Sequence, residues 1–164
     1  MKPQKLEKQS IDILNARIKD EYAAFYHYKA AENYCREVGY KFAADFFGKE
    51  AISEMEHAAK LQNYLVDWNV QPTLLSINAP IKFSSLVEII EKSYIVEYKL
   101  YEAYEKDSAA LMDANDICTF DFLGDLRKIQ VESVAEYSDM LNQLELIDKN
   151  DKFQVYYLEK RIFG

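Results

Sequence analysis

Apolar residues recur at helical spacing through four long stretches of this chain, and each stretch carries a polar residue where its stripe should be hydrocarbon. The first stripe, Ile11, Leu14, Ile18, Glu21, Phe25, Tyr28, predicts a helix over about residues 6–34. Ala43, Phe47, Glu54, Ala58, Leu61, Leu65 and Trp68, with His57 on the same face, predict a second over about 41–68. Leu86, Ile90, Glu97, Tyr101, Tyr104 and Leu111 give a third, about 84–111. Leu123, Leu126, Gln130, Ser133, Tyr137, Met140, Leu144 and Ile147 give a fourth, about 116–147. A short tail helix is expected over about 153–162.

Two tight turns separate these stretches in pairs. Glu37-Val38-Gly39 offers a glycine for the positive φ of a helix end, and Asp113-Ala114-Asn115-Asp116 offers side chains that favour turns and N-caps. The connection from Asn69 to Phe83, with Pro72, Asn78 and Pro80, is far longer than a hairpin needs. Fifteen extended residues reach up to ~50 Å, whereas a helix of 28 residues is about 42 Å long. The loop can therefore run the length of a bundle. The expected fold is all-α: a four-helix bundle of two antiparallel hairpins joined by one long crossover, plus a short C-terminal fifth helix, in a single domain over residues 1–164.

Composition narrows the function. A net charge of −8 argues against nucleic acid, whose phosphates need clustered Lys and Arg, and the basic start (Lys2, Lys5, Lys8) is too short to reverse that. Neither a signal peptide nor a membrane span is expected, so the location expected is cytoplasmic, with no membrane partner. Cys35 and Cys118 form no C-x-x-C pair and are expected to be free, buried thiols.

The chemistry lies in the intruders. Glu21 and Glu54 are separated by 33 residues, as are Glu97 and Gln130, and each pair straddles its turn at equal distance. All four side chains can therefore meet near mid-bundle. Removing several carboxylates from water costs several kcal/mol apiece unless cations neutralise them. Glu54-Met55-Glu56-His57 adds an imidazole at i+3 on the same face. Oxygen donors with one imidazole suit iron, manganese or zinc rather than copper(I). Glu21 and His57 are assigned to a first metal, Glu54 to a bridge, Glu97 to a second metal, and Gln130 to a weak or indirect role beside it. Tyr28, two turns beyond Glu21, is either a core aromatic or a hydrogen-bond or one-electron donor beside the metals. His27 is expected at the surface or a subunit contact, Met55 in the core, and Glu102, Glu105 and Glu145 on solvated faces.

These residues carry a resemblance. Leu14-Asn15 followed by Glu21, the Glu54-Met55-Glu56-His57 run, Ser85-Leu86 leading to Tyr94 and Glu97, Phe120-Asp121-Phe122-Leu123 followed by Gln130, and the tail Val155-Tyr156-Tyr157-Leu158-Glu159-Lys160 resemble a bacterial non-haem ferritin over nearly the whole chain. The resemblance implies a ferritin-like fold. It implies a dinuclear ferroxidase centre, two iron ions per subunit, at Glu21, Glu54, His57, Glu97 and Gln130 with Tyr28 alongside. It further implies oxidation of Fe(II) by O2 or H2O2 and storage of a ferric mineral in a homo-oligomeric shell of 24 subunits, without haem. Many relatives have a third iron site; here Ser53, Ile129 and Ser133 take three of its positions, leaving Glu132 as its remaining carboxylate. Bacterioferritin- or rubrerythrin-like oxidases or peroxidases are alternatives, but the second half reads Gln130-Val131-Glu132-Ser133, without a second histidine. A non-catalytic shell subunit should have lost Glu54 or His57, and both are present.

Overall fold

The computed structural model describes residues 5–78 and 82–164. Five helices follow in chain order: α1 (Lys8–Val38), α2 (Lys41–Asp67), α3 (Leu86–Asp113), α4 (Ile117–Leu144) and α5 (Lys152–Phe163). Lys2 and Pro80, used above, lie outside the described residues.

Local chemistry fixes the helix ends. Gly39 takes φ 89° and its N–H, like that of Tyr40, bonds to the Cys35 carbonyl at 3.0 and 2.8 Å, so α1 runs a turn beyond Tyr34 and reverses within two residues. Ser85 caps α3 by accepting from the Glu88 N–H, while the Glu88 carboxylate reaches back to the Ser84 N–H. Asn115, at φ 56°, turns the chain into α4, which Asp116 caps through the Thr119 N–H. No residue caps α2 locally. A buried carboxylate from the tail does so instead: Glu159 on α5 accepts from the Ala43 N–H at 2.9 Å.

The contacts define the topology. Tyr22 meets Gln62 and Tyr28 stacks on Phe47, so α1 and α2 are antiparallel. Tyr64 meets Phe122 and Phe46 meets Tyr137, so α2 and α4 are antiparallel too. The crossover is pinned near one end of α1, where the Thr73 N–H donates to Asn15, and near the other, where the Tyr34 hydroxyl donates to the Ser84 carbonyl. It therefore travels the bundle's length, as its reach allows.

The core is largely the predicted stripes: Leu14, Ile18, Phe47, Leu61, Leu65, Ile90, Leu111, Leu123, Tyr137 and Leu144 are all buried. Three expectations are corrected. His27 is 2% exposed and bonds Ser93 at 2.8 Å, because α1 packs against α3 as well as α2 and its buried face is wider than one stripe. Met55 is 47% exposed, since it stands about 100° round α2 from the inward Glu54. Cys118 is exposed while Cys35 is buried; in the first turn of α4, it is the neighbouring Thr119 that turns inward, against Tyr64. Both thiols are free. Glu102, Glu105 and Glu145 are solvated, as expected. No helix among the described residues is long and apolar enough to cross a membrane.

Candidate metal centre

Each of the four long helices sends one or two polar side chains to a single level of the bundle. Glu21 comes from α1, Glu54 and His57 from α2, Glu97 from α3 and Gln130 from α4, and all five are buried. One ligand atom each from Glu21, Glu54 and His57 lies within 4.8 Å of the others. The His57 Nδ1 stands 3.2 Å from Glu54 Oε2 and 3.5 Å from Glu21 Oε2. A second group, Glu50, Glu54 and Glu97, meets the same limit, so Glu54 belongs to both.

Glu50 was not read from the sequence. It lies one turn before Glu54 on the same face of α2, and that i−4 spacing was the available signal. The second omission is Tyr104. Its hydroxyl donates to Glu21 in a short hydrogen bond, as the Tyr28 hydroxyl does to Glu97. Tyr104 lies on the apolar stripe of α3, yet it follows Glu97 by seven residues as Tyr28 follows Glu21.

The remaining partners hold the carboxylates in place. The Gln130 amide donates to the Glu97 carboxylate and, at 2.9 Å, to the Glu97 main-chain carbonyl. In this geometry Gln130 orients Glu97. Ser53, Ile129 and Ser133 are half-buried, and Glu132 is exposed and in neither ligand group.

The electrostatics follow from crowding. Burial, then the neighbouring Glu21, Glu97 and Glu50 carboxylates, push the Glu54 carboxyl well above its ordinary range. Burial pushes Glu21 up as well, but the neighbouring Glu54 and His57 and the hydrogen bond from Tyr104 outweigh it and leave Glu21 lowered. Glu97 is raised by burial against the pull of Tyr28 and Gln130. Glu50 is raised to about 7, by burial first and then by Glu97 and Glu136. The buried Glu21 Oε2 has no hydrogen-bond partner among the described residues. An acceptor-only oxygen left in this state, beside an imidazole and several carboxylates that repel one another, fits a divalent cation.

Known proteins resemble this chain. A family model described as a ferritin-like domain matches residues 11–147. A bacterial non-heme ferritin of Staphylococcus aureus (strain MRSA252) is 30% identical over 158 residues, covering 96% of this chain and 95% of the relative. The bacterial non-heme ferritin of Staphylococcus epidermidis is 28% identical over the same span. Among solved structures, the open pore ferritin of the archaeon Archaeoglobus fulgidus superposes with a TM-score of 0.87 at 23% identity, covering 96% of both chains. With the family model spanning most of the bundle and the Staphylococcus relatives spanning nearly the whole chain, this protein belongs to the ferritin family.

Proposed function

We propose that the chain is an iron-storage ferritin subunit that oxidises ferrous iron at the carboxylate cluster. The single observation that carries the reading is the shared Glu54, which belongs to two adjacent ligand groups, one with Glu21 and His57 and one with Glu50 and Glu97. Two ferrous ions are the substrate. Glu21 and His57 take the first, Glu54 bridges, and Glu97 with Glu50 takes the second. Gln130 and Tyr28 hold Glu97 in position, and Tyr104 holds Glu21.

The residues also manage protons. Cation binding favours the ionised carboxylates that burial and crowding oppose at Glu54, Glu97 and Glu50, the last raised to about 7, so loading should release protons. Each ferrous ion gives one electron to an oxidant, O2 or H2O2, and the product is ferric iron that hydrolyses to mineral. The surrounding Ile18, Leu61, Phe47 and Leu123 exclude bulk water, which strengthens every interaction of the carboxylates with the ions.

Storage requires a compartment, and the proposed one is a homo-oligomeric shell of 24 subunits. Large exposed aromatics on α5, Phe153, Tyr156 and Tyr157, support burial against further copies. Stopped-flow oxidation combined with a native mass tests the reading. Aerobic ferrous iron should be oxidised in a fast phase that saturates near two ions per chain, in a particle of shell size. Slow oxidation at the rate of iron in buffer would contradict the enzyme, and a monomer or dimer mass would contradict the shell.

A further inference from the structure

We propose that Tyr104 is a second electron and proton donor of the centre, the counterpart of Tyr28 at the opposite iron position. The inference rests on the ferroxidase reading above and assigns electron donation both to Tyr104 and to Tyr28, which that reading used only to hold Glu97. Tyr28 follows Glu21 by seven residues on α1, and Tyr104 follows Glu97 by seven on α3. The two helices run antiparallel, so each tyrosine comes level with the glutamate of the other helix. The outcome is a crossed pair: the Tyr28 hydroxyl donates to Glu97 and the Tyr104 hydroxyl donates to Glu21. Each outer carboxylate of the cluster thus carries one buried phenol.

That bond is what a phenol needs to give up an electron. A tyrosine that loses an electron without losing its proton becomes a very unfavourable cation in a buried site. A carboxylate already accepting its hydrogen bond takes the proton along that bond, and a neutral radical remains. Tyr137 makes the contrast. It is equally buried and stacks on Tyr28 at 6.2 Å between ring centres, yet its hydroxyl donates to no carboxylate among the described residues. Of these three buried tyrosines, Tyr28 and Tyr104 have a proton acceptor in place.

The electrons balance with dioxygen as the oxidant. Two ferrous ions give two electrons, and Tyr28 and Tyr104 give one electron and one proton each. Two further protons come from solvent, the O–O bond breaks, and two waters form. Two neutral tyrosyl radicals remain. Each is reduced by one further ferrous ion, and a proton returns through Glu97 or Glu21. The net reaction consumes four ferrous ions per dioxygen and releases no peroxide. With only one phenol competent, the fourth electron that O–O cleavage needs is missing; the two ferrous electrons and two solvent protons take dioxygen to peroxide, which escapes, and the remaining phenol stays reduced.

The test compares the parent with Tyr104→Phe, Tyr28→Phe, the double variant and Tyr137→Phe. Anaerobic cobalt(II) titration first establishes that both metal positions still fill. Samples given two ferrous ions per chain and excess dioxygen are then freeze-quenched for electron paramagnetic resonance, and peroxide is assayed in parallel. Because O–O cleavage needs both phenols, Y104F and Y28F should each lose most of the tyrosyl signal, as the double variant does. Peroxide should rise in both single variants, while Tyr137→Phe should match the parent. Should Y104F not fold, 3,5-difluorotyrosine at position 104 keeps the hydroxyl and should add fluorine splitting to the radical spectrum. A parent-like signal and peroxide yield in Y104F, or a missing splitting in the fluorinated protein, overturns the inference. Loss of cobalt binding in Y104F in step with its radical also overturns it, by reducing Tyr104 to a support for Glu21. A parent that oxidises iron quickly without any radical sinks the inference alone. A parent that neither binds cobalt nor oxidises iron sinks the ferroxidase reading with it.

Discussion

The Gln130 side chain on α4 donates to both the carboxylate and the main-chain carbonyl of Glu97 on α3. One amide therefore ties two helices together at the level of the metal groups and sets the direction of Glu97. Gln130→Glu replaces the donor with another carboxylate, facing Glu97, Glu54 and Glu50. The metal-free variant should lose about 1–3 kcal/mol of stability, because a protonated carboxyl offers one donor where the amide offers two, leaving a buried Glu97 acceptor unpaired. A divalent cation should restore most of that loss. Thermal melts with and without zinc check both halves, and an unchanged melt of the metal-free variant would be the wrong outcome.

Stability of the metal-free protein should fall as pH rises. Burial and the neighbouring Glu97 and Glu136 raise Glu50 from 4.5 to about 7, and burial and its neighbours raise Glu54 as well. A carboxyl whose pKa is higher in the folded than in the unfolded chain binds more protons when folded. Its contribution is complete below the unfolded value and is lost as pH rises through the folded one. For Glu50 the window is about pH 4.5 to 7. Urea unfolding at pH 5 and pH 8 should show the protein weaker at pH 8, and Glu50→Gln should flatten the slope across this window. A steeper slope in that variant would contradict the assignment.

Removing ligands should separate chemistry from folding. Glu54→Ala or His57→Ala should slow ferrous oxidation on the order of 100-fold, since each removes a proposed ligand. Folding should survive, and Glu54→Ala should leave the metal-free protein as stable as the parent or more so, because the carboxylate crowding is relieved. Stopped-flow traces and melts of the two variants check this pair of outcomes.

The tail should matter through one bond. Glu159 accepts from the Ala43 N–H at the start of α2, a helix that lacks a cap of its own. Glu159→Ala should cost about 1 kcal/mol, the usual value of a lost cap, and should loosen α5 as well as the first turn of α2. Hydrogen exchange at Ala43 and Ala44 is the direct readout. Equal protection in parent and variant would remove the capping role.

The sequence made the long elements and the four intruders legible because both are periodic. Glu21, Glu54, Glu97 and Gln130 break apolar stripes at equal distances from their turns, and the fold brings them to one level. What escaped reading depends on how helices face one another. Tyr104 looked like stripe because a tyrosine is compatible with a core; only the antiparallel packing of α1 on α3 directs its hydroxyl to Glu21. Glu50 sits on the inward side of α2 among polar neighbours, where a half-buried carboxylate resembles a surface one. His27 was misplaced for a related reason, since one stripe cannot describe a helix that packs on two partners.

Crystals soaked anaerobically in ferrous salt, with anomalous scattering recorded at the iron edge, test the paired-cation account most directly. The account predicts two peaks about 3.5–4 Å apart, one among Glu21, Glu54 and His57 and the other among Glu50, Glu54 and Glu97. A single peak outside both groups, or none within the bundle, would contradict it.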